Sequence, residues 1–160
     1  MKAYTIWFTG LHGSGKTTIA TELVKELKRR DINFVFLDDD YIRNILSPDL
    51  GNSKYENYRH TIRLANVCYL ITYNGVLTIV CTVSPARKLR TYARRMIKYF
   101  VEIQVRTNSE LCARRTTDKG VIKDSFYEKG ENPEIVIPDG EETEVSVKRI
   151  IEYLEQEKII

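Results

Sequence analysis

One short motif constrains this chain more than any other feature of its sequence. Residues 10–17 read GLHGSGKT, a complete match to the phosphate-loop pattern GxxxxGK(S/T). The motif follows an apolar segment at residues 4–9, which predicts a strand, and precedes residues 19–27, whose apolar spacing predicts a helix. Backbone N–H groups of such a loop and the N-terminus of the next helix bind phosphate oxygens. The motif therefore predicts a nucleotide phosphate site.

Each residue type in this loop has its own expected role. Lys16 is predicted to reach the β- and γ-phosphates, and the Thr17 hydroxyl is predicted to bind Mg²⁺. The expected cofactors are therefore ATP and Mg²⁺. The loop residues predicted to bind ATP are Gly13, Ser14, Gly15, Lys16, Thr17 and Thr18.

The rest of the chain alternates between strand and helix patterns. Four further strands are predicted by short apolar segments at residues 33–37, 76–83, 100–105 and 135–137. Helices are predicted between them at residues 41–46, 53–73, 85–99 and 109–115, and after the last strand at residues 145–155. Such alternation favours a parallel sheet with right-handed crossovers. We therefore expect an α/β protein with the three-layer α/β/α fold of P-loop nucleoside-triphosphate hydrolases and kinases, built on a five-stranded parallel sheet.

Length and loop pattern predict the domain organisation. The 160 residues suffice for one domain, so residues 1–160 are expected to form a single P-loop kinase domain. Residues 116–134 are polar and lack periodicity, which predicts a lid loop. No guanine-specificity motif of the NKxD kind is found, and the chain has no room for the extra helical domain of an oligomeric ATPase. Among the classes of P-loop protein considered, the sequence therefore favours a small kinase that phosphorylates a bound small molecule.

Charge and hydropathy argue against several function classes. The chain has 25 basic and 22 acidic side chains, and its net charge of +3 is too small to indicate nucleic-acid binding. No apolar run approaches the roughly 18 residues that a membrane span needs, and the first residues lack a signal-peptide pattern. We therefore expect a cytoplasmic protein without a nucleic-acid or membrane partner. Three widely spaced cysteines favour buried, reduced thiols.

Three consecutive aspartates follow the second predicted strand. Ligands of open α/β sheets bind beyond the carboxyl ends of the strands, so Asp38 and Asp40 are expected to project into that crevice. Asp40 is the expected group to accept or orient the proton of the substrate hydroxyl, and Asp38 is expected to hold Mg²⁺ through water. Together with Lys16 they form the predicted catalytic set. A solvated turn that caps a helix is the alternative interpretation.

Six sequence elements in order resemble the adenylylsulfate (APS) kinase family, which phosphorylates the 3′-hydroxyl of adenosine 5′-phosphosulfate. Residues 6–20 are similar to its phosphate-loop region, and DDDYIR at 38–43 is similar to its DGDNxR element. The other similar elements are LGNS at 50–53 (LGxS), SPAR at 84–87 (SPYR), KG at 119–120 and ENPEIVI at 131–137. A phosphate loop alone is shared by many families, whereas this ordered set is not.

The resemblance implies further site residues. Thr17 and Asp38 are the implied metal ligands, and Arg115, Asn132 and Pro133 are implied to border the adenine of ATP. A homodimer is an assembly that the resemblance implies, and the implied small-molecule partner is the acceptor, APS or a related nucleotide. The implied acceptor-binding residues are Arg43, Asn57, His60, Arg63, Ser84, Arg87 and Lys119. Arg43 and Arg87 suit bidentate contacts with phosphate or sulfate.

Departures from the family pattern cluster on the acceptor side. Asp39 replaces a glycine, which adds a carboxylate near the developing negative charge, and Tyr41 replaces an asparagine. The family's DRxxN element is matched by Glu56, Asn57 and His60, so its arginine is absent, and Arg59 or Arg63 is the candidate substitute. The lid is also short, with Phe126 or Tyr127 as its candidate stacking surface. Two alternatives therefore stay open: a kinase of this family with another acceptor, and a nucleotide-binding regulator without catalysis.

A basic segment gives one further expectation. Positions 87, 90 and 94 share a helix face by their spacing. Arg87 is the residue of this face that we expect at the substrate, with Arg90 as the next candidate. A solvated basic face is the alternative interpretation.

Overall fold

A five-stranded parallel sheet forms the centre of the molecule in a computed structural model that describes residues 2–115 and 127–160. Its strands lie in the order β2-β3-β1-β4-β5, and every neighbouring pair is parallel. The strands are β1 (Thr5–Thr9), β2 (Phe34–Asp38), β3 (Leu77–Cys81), β4 (Phe100–Val105) and β5 (Ile135–Ile137). The predicted five-stranded parallel sheet is thus confirmed.

Residues 2–115 and 127–160 contain six helices, four of which cover the two faces of the sheet. The six helices are α1 (Lys16–Arg29), α2 (Asp39–Leu46), α3 (Lys54–Tyr73), α4 (Arg87–Met96), α5 (Ser109–Arg115) and α6 (Thr143–Gln156). Helices α1 and α6 pack on one face, where Leu23 and Ile150 are fully buried against strand residues such as Ile103. Helices α3 and α4 pack on the other face through Leu64 and Ala93. The three-layer α/β/α prediction is therefore confirmed.

The strand order determines where a ligand can bind. The connections that follow β1 and β3 lead to opposite sides of the sheet, although these two strands are neighbours. Such a reversal opens a crevice beyond the carboxyl ends of the strands. The phosphate loop follows β1, the three aspartates lie at the end of β2, and Ser84 follows β3. The fold therefore brings all three predicted site segments to one edge of the sheet.

Some element bounds differ from the predicted ones for identifiable reasons. Helix α2 begins at Asp39 rather than at residue 41, because the Asp38 side chain caps it by accepting from the Asp40 amide at 3.1 Å. Strand β3 ends at Cys81 rather than at residue 83, and the Val83 carbonyl accepts instead from the Thr9 hydroxyl at 2.7 Å. Helix α4 ends at Met96 rather than at residue 99, since Ile97 is extended and buried.

Helix α3 begins with a complete capping box. The Ser53 hydroxyl accepts from the Glu56 amide at 3.2 Å, and the Glu56 carboxylate accepts from the Ser53 amide at 3.1 Å. The same carboxylate accepts from the Gly51 amide at 2.9 Å. Glu56 therefore serves the helix terminus and the preceding loop. Among the described residues, no helix has the length and apolar character that crossing a membrane requires.

Candidate active site

The phosphate loop curls between β1 and α1 with three glycines at positive φ, the first being Gly10 with φ of 155°. Gly13 has φ of 74°, and Gly15, the N-cap of α1, has φ of 94°. A Cβ on Gly13 would lie 3.0 Å from the Cys112 carbonyl oxygen, so this position also lacks space for a side chain. The glycines of the motif are thus required by backbone conformation and by close packing on α5.

Lys16 lies at the centre of this loop and is almost completely buried. Its ammonium donates to the carbonyl oxygens of Gly10 at 2.9 Å and Leu11 at 2.6 Å. Burial lowers the pKa of Lys16, while the nearby Cys81 and Asp40 act in the opposite direction. The hydrogen-bond partners of Lys16 among the described residues are neutral carbonyl and hydroxyl oxygens, so a bound anion would compensate the buried charge. Lys16 is therefore placed as the phosphate prediction requires.

Asp38 and Thr17 form the pair predicted to hold a metal ion. Thr17 and Asp38 line the same cavity. Burial raises the pKa of Asp38, and the bond from the Asp40 amide and the nearby Thr17 hydroxyl oppose this rise. A carboxylate beside a hydroxyl offers the oxygen ligands that Mg²⁺ prefers, and Mg²⁺ takes its other ligands from phosphates and water. The residues present therefore fit a Mg²⁺ ion.

Asp39 and Asp40 have different surroundings although they are adjacent. Asp40 is exposed toward the crevice, whereas the Asp39 carboxylate accepts from the Thr82 hydroxyl at 2.8 Å and pairs with the His60 imidazole. Burial raises the pKa of Asp39, but these two bonds and the electrostatic effects of His60 and Arg43 together outweigh burial, so that its pKa lies below the usual value. The extra carboxylate is thus engaged by protein groups, which differs from the expectation that it adds charge near the transferred phosphoryl group.

One cavity of about 730 Å³ contains both the loop and the aspartates. The predicted ATP-binding residues that line it are Gly13, Ser14, Gly15, Lys16, Thr17, Thr18 and Arg115. Other parts of its wall were not predicted from the sequence, namely Arg106 and Thr107 after β4 and residues 137–143, from the end of β5 to the start of α6. The rule that ligands bind beyond strand ends applies to both segments and could have identified them.

Asn132 and Pro133 are not among the residues that line this cavity, and their place beside the adenine stays a prediction. Asn132 lines a second cavity of about 330 Å³ instead. The segment is held there because Glu134 pairs with Arg94 at 2.5 Å and accepts from the Glu102 amide at 2.6 Å. These contacts draw the residues before β5 toward α4.

The basic face of α4 divides into two kinds of residue. Arg87 is half exposed and pairs with Glu131. Arg90 is 2% exposed, and its guanidinium donates to Glu102 at 3.1 Å and to the Ser84 carbonyl at 2.5 Å. Arg90 is therefore a buried structural residue in this conformation. This corrects the expectation that Arg90 is the next candidate, after Arg87, for contact with the substrate. Arg87 remains accessible to an anion.

The remaining predicted acceptor residues are partly engaged with the protein. Arg43 donates to the Gly51 carbonyl at 2.6 Å, and Arg63 forms two bonds with Asp49, at 2.5 and 2.8 Å. Arg63 is thus directed to a surface carboxylate, and nothing here supports it as a substitute for the absent arginine. Lys119, Phe126 and most of the predicted lid lie outside the described residues.

Two buried polar atoms on the acceptor side have no hydrogen-bond partner among the described residues. They are the Asn57 side-chain oxygen and the Ser84 hydroxyl. Ser84 also has φ of 43°, in the left-handed region that residues other than glycine seldom adopt. Unpaired buried polar groups and backbone strain are typical of ligand sites. Both residues belong to the predicted acceptor-binding set.

Comparison with known proteins identifies the family. The family model described as adenylylsulphate kinase matches residues 2–143. The chain belongs to the adenylylsulphate kinase family. The resemblance noted in the sequence is therefore confirmed, and with it the assignment to ATP-dependent phosphotransferases of this family.

Individual members of the adenylylsulphate kinase family match the chain over nearly its whole length. An adenylyl-sulfate kinase from Halothermothrix orenii is 36% identical over 173 residues, covering 99% of this chain and 93% of the relative. One from Picosynechococcus is 37% identical, covering 96% and 94%. The structure of Mycobacterium tuberculosis APS kinase with AMPPNP and APS has a TM-score of 0.87 at 28% identity, covering 96% and 98%. The sequence matches and the structural match thus agree.

Proposed function

We propose that this protein transfers the γ-phosphoryl group of ATP to the 3′-hydroxyl of adenosine 5′-phosphosulfate. One observation carries the proposal. A single cavity holds Lys16 and Thr17 of the phosphate loop together with Asp38 and Asp40. It therefore contains groups for binding ATP and Mg²⁺ and a carboxylate for the acceptor hydroxyl. Phosphoryl transfer requires positioning and charge stabilisation more than covalent participation by the protein. Membership of the adenylylsulphate kinase family supports this acceptor.

On the donor side, the chain binds and orients the triphosphate. Amides of residues 13–17 bind phosphate oxygens, and Lys16 exchanges the carbonyl oxygens of Gly10 and Leu11 for phosphate oxygens. Thr17 and Asp38 would hold Mg²⁺, which neutralises charge on the β- and γ-phosphates. Arg106, Thr107 and the 137–143 segment form the wall left for the base and ribose.

On the acceptor side, Asp40 orients the hydroxyl and accepts its proton. Its carboxylate is exposed to the same cavity and lies one residue into α2. Arg43 and Arg87 are the guanidinium groups that can bind the phosphate and sulfate of the acceptor. For Arg87 this binding replaces its pair with Glu131. The unpaired atoms of Asn57 and Ser84 supply further polar contacts.

A coupled assay of ADP release tests the proposal. ATP and Mg²⁺ are supplied with APS, with other nucleotides that have a free 3′-hydroxyl, or with no acceptor. Turnover that depends on APS supports the proposal, and absence of turnover with APS refutes it. Omission of Mg²⁺ is expected to abolish turnover, and chelation followed by Mg²⁺ readdition is expected to restore it.

Two substitutions test the assigned roles. We expect Lys16→Ala and Asp40→Ala each to lower kcat by about 100-fold or more, because each removes a group that acts on the reacting atoms. Circular dichroism should show that both variants remain folded. Lys25→Ala and Glu22→Ala are matched controls, since these two residues form an exposed pair at 2.6 Å on the outer side of α1. Unchanged turnover in Asp40→Ala would remove Asp40 from the mechanism.

A different acceptor is the second candidate function. It is favoured by the absence of the family's arginine at the position of Asn57 and by the engagement of Arg63 with Asp49. Turnover of another 3′-hydroxyl nucleotide without turnover of APS supports it. ATP binding without any phosphorylated acceptor supports a regulator instead. A homodimer is tested separately by analytical ultracentrifugation.

A further inference from the structure

Helix α2 carries Asp40 and Arg43, but it has no fully buried side chain. Its apolar contacts come from Ile42 and Leu46, which are only partly buried against the α3 side of the core. The helix is eight residues long, and isolated helices of this length are unstable in water. The position of the Asp40 carboxylate therefore depends on additional contacts that fix α2 to the body of the protein.

A chain of four hydrogen-bonded side chains provides such contacts. The Asp39 carboxylate pairs with His60 Nε2 through one oxygen and accepts from the Thr82 hydroxyl at 2.8 Å through the other. The other ring nitrogen of His60, Nδ1, bonds to the Ser47 hydroxyl at 2.8 Å. We refer to Ser47, His60, Asp39 and Thr82 as the polar chain.

The polar chain connects both ends of α2 to rigid neighbours. Asp39 is the first residue of α2 and Ser47 is its C-cap, whereas His60 belongs to α3 and Thr82 follows β3. Ser47, His60 and Thr82 are each at most 2% exposed. Hydrogen bonds in such surroundings are strong and directional, and the loss of one partner leaves a buried polar group unpaired. Rotation or displacement of α2 would break at least one of these bonds.

The polar chain also joins two departures from the family pattern. The family has glycine at position 39 and asparagine at position 60, and a glycine has no side chain that could pair with His60. Both ring nitrogens of His60 and both carboxylate oxygens of Asp39 are already used. His60 is therefore not available in this conformation for the acceptor contact that the sequence predicts.

We propose that His60 and Asp39 are positioning residues, which hold α2 through the polar chain and thereby orient Asp40 toward the acceptor hydroxyl. This inference rests on the proposed function, because it assigns the pair a role in the same phosphoryl transfer. Asp40 follows Asp39 directly, so a shift of the first turn of α2 moves its carboxylate relative to the γ-phosphate. The phosphate loop is a separate segment after β1, and the polar chain includes none of its residues.

The test compares variants that break the polar chain with one that preserves it. Asp39→Ala and His60→Leu each remove the Asp39–His60 pair that links the first turn of α2 to α3. Asp39→Asn preserves it, because the amide oxygen can accept from His60 and the amide nitrogen can donate to Thr82. The double variant Asp39→Ala/His60→Leu completes a cycle. Glu155→Gln is the matched control, since it changes a carboxylate to an amide in an exposed pair with Arg30.

We expect each breaking variant to lower kcat by about 10- to 100-fold, as a displaced reacting group does. KM for ATP should change by less than about twofold, since the phosphate loop is unaffected. The double variant should be no slower than the slower single variant, because the link is already broken. Asp39→Asn should recover activity to within about threefold of the parent. Three results would each overturn the proposal. They are a kcat loss in the double variant equal to the product of the two single losses, a rise in KM for ATP as large as the fall in kcat, and failure of Asp39→Asn to recover activity.

Hydrogen exchange measured by mass spectrometry gives a readout that does not require activity. Amides of residues 39–46 should exchange faster in Asp39→Ala and His60→Leu than in the parent, Asp39→Asn or Glu155→Gln. If the parent does not phosphorylate APS, the proposed function fails, and this comparison alone decides whether the polar chain holds α2. Equal exchange in all five proteins would overturn the inference even if the parent is an active APS kinase. A breaking variant that fails to fold is replaced by Thr82→Val, which removes only the bond to the second Asp39 oxygen.

Discussion

Replacement of Arg90 by methionine should destabilise the protein far more than any other change on the basic face of α4. The Arg90 guanidinium donates to Glu102, to the Ser84 carbonyl and to the Glu128 carbonyl, and it lies over the Tyr127 ring at 5.2 Å. Methionine retains much of the apolar volume but none of the donors. The Glu102 carboxylate, which is 7% exposed, would lose its ion pair with Arg90. Its contact with Arg94 at 3.5 Å would remain.

The magnitude follows from burial. Removal of one partner of a buried ion pair costs about 3 to 5 kcal/mol, because the other charge stays buried without compensation. For a protein of this size, about 1 kcal/mol corresponds to roughly 2 to 4 °C, so we expect the melting temperature to fall by roughly 6 to 20 °C. The exposed pair of Arg30 and Glu155 provides the contrast, and Glu155→Gln should leave the melting temperature nearly unchanged.

Urea unfolding followed by tryptophan fluorescence measures the difference. Trp7 is the single tryptophan and is completely buried in β1, so its emission reports global unfolding. Thermal unfolding by circular dichroism gives a second estimate, and agreement between the two probes supports a two-state analysis. A loss below about 1 kcal/mol, or one equal to that of Glu155→Gln, would refute the reasoning that Arg90 is a buried structural anchor.

Three further outcomes are expected. Burial raises the pKa of Asp38. As the pH is lowered, kcat/KM for ATP with Mg²⁺ should therefore begin to fall at a higher pH than protonation of an ordinary aspartate would cause. A pH–rate profile that stays flat down to about pH 4 would contradict this. Burial also raises the pKa of the Cys68 thiol to about 12. Because all three cysteines are buried, a disulfide reagent at about pH 8 should leave them unmodified until urea unfolds the protein, and rapid labelling of the native protein would show that they are accessible. Gly10→Ala should abolish ATP binding measured by calorimetry, because the new Cβ would lie 2.5 Å from the Val105 carbonyl oxygen; retained affinity would show that the loop can shift without loss.

Much of the fold was predictable because its elements follow local patterns. The bounds of β4, α5 and β5 agree with the predicted segments, and the other elements differ by a few residues at their ends. Those differences come from particular contacts, such as the Asp38 cap that starts α2 early. The phosphate-loop residues line one cavity with the aspartates, since the motif specifies a backbone conformation and a position between one strand and one helix.

The acceptor side was less predictable because its residues act through partners that are distant in sequence. Spacing placed Arg87 and Arg90 on one helix face, but only packing against Glu102 determines that Arg90 is buried. Sequence likewise left Asp39 as an added carboxylate, whereas the structure pairs it with a histidine 21 positions away. The sequence also did not show that Asn132 lines a cavity beside α4, where the contacts of Glu134 hold its segment.

By itself, the sequence determined the phosphate loop, the alternation of strands and helices, and the family. Those properties depend on residues that are adjacent or regularly spaced, so they can be inferred without knowledge of the fold. Only the tertiary structure decided the strand order, the cavity walls after β4 and β5, and the links that hold α2. The reason is that burial and hydrogen-bond partners depend on which distant segments pack together, and a local pattern does not specify that choice.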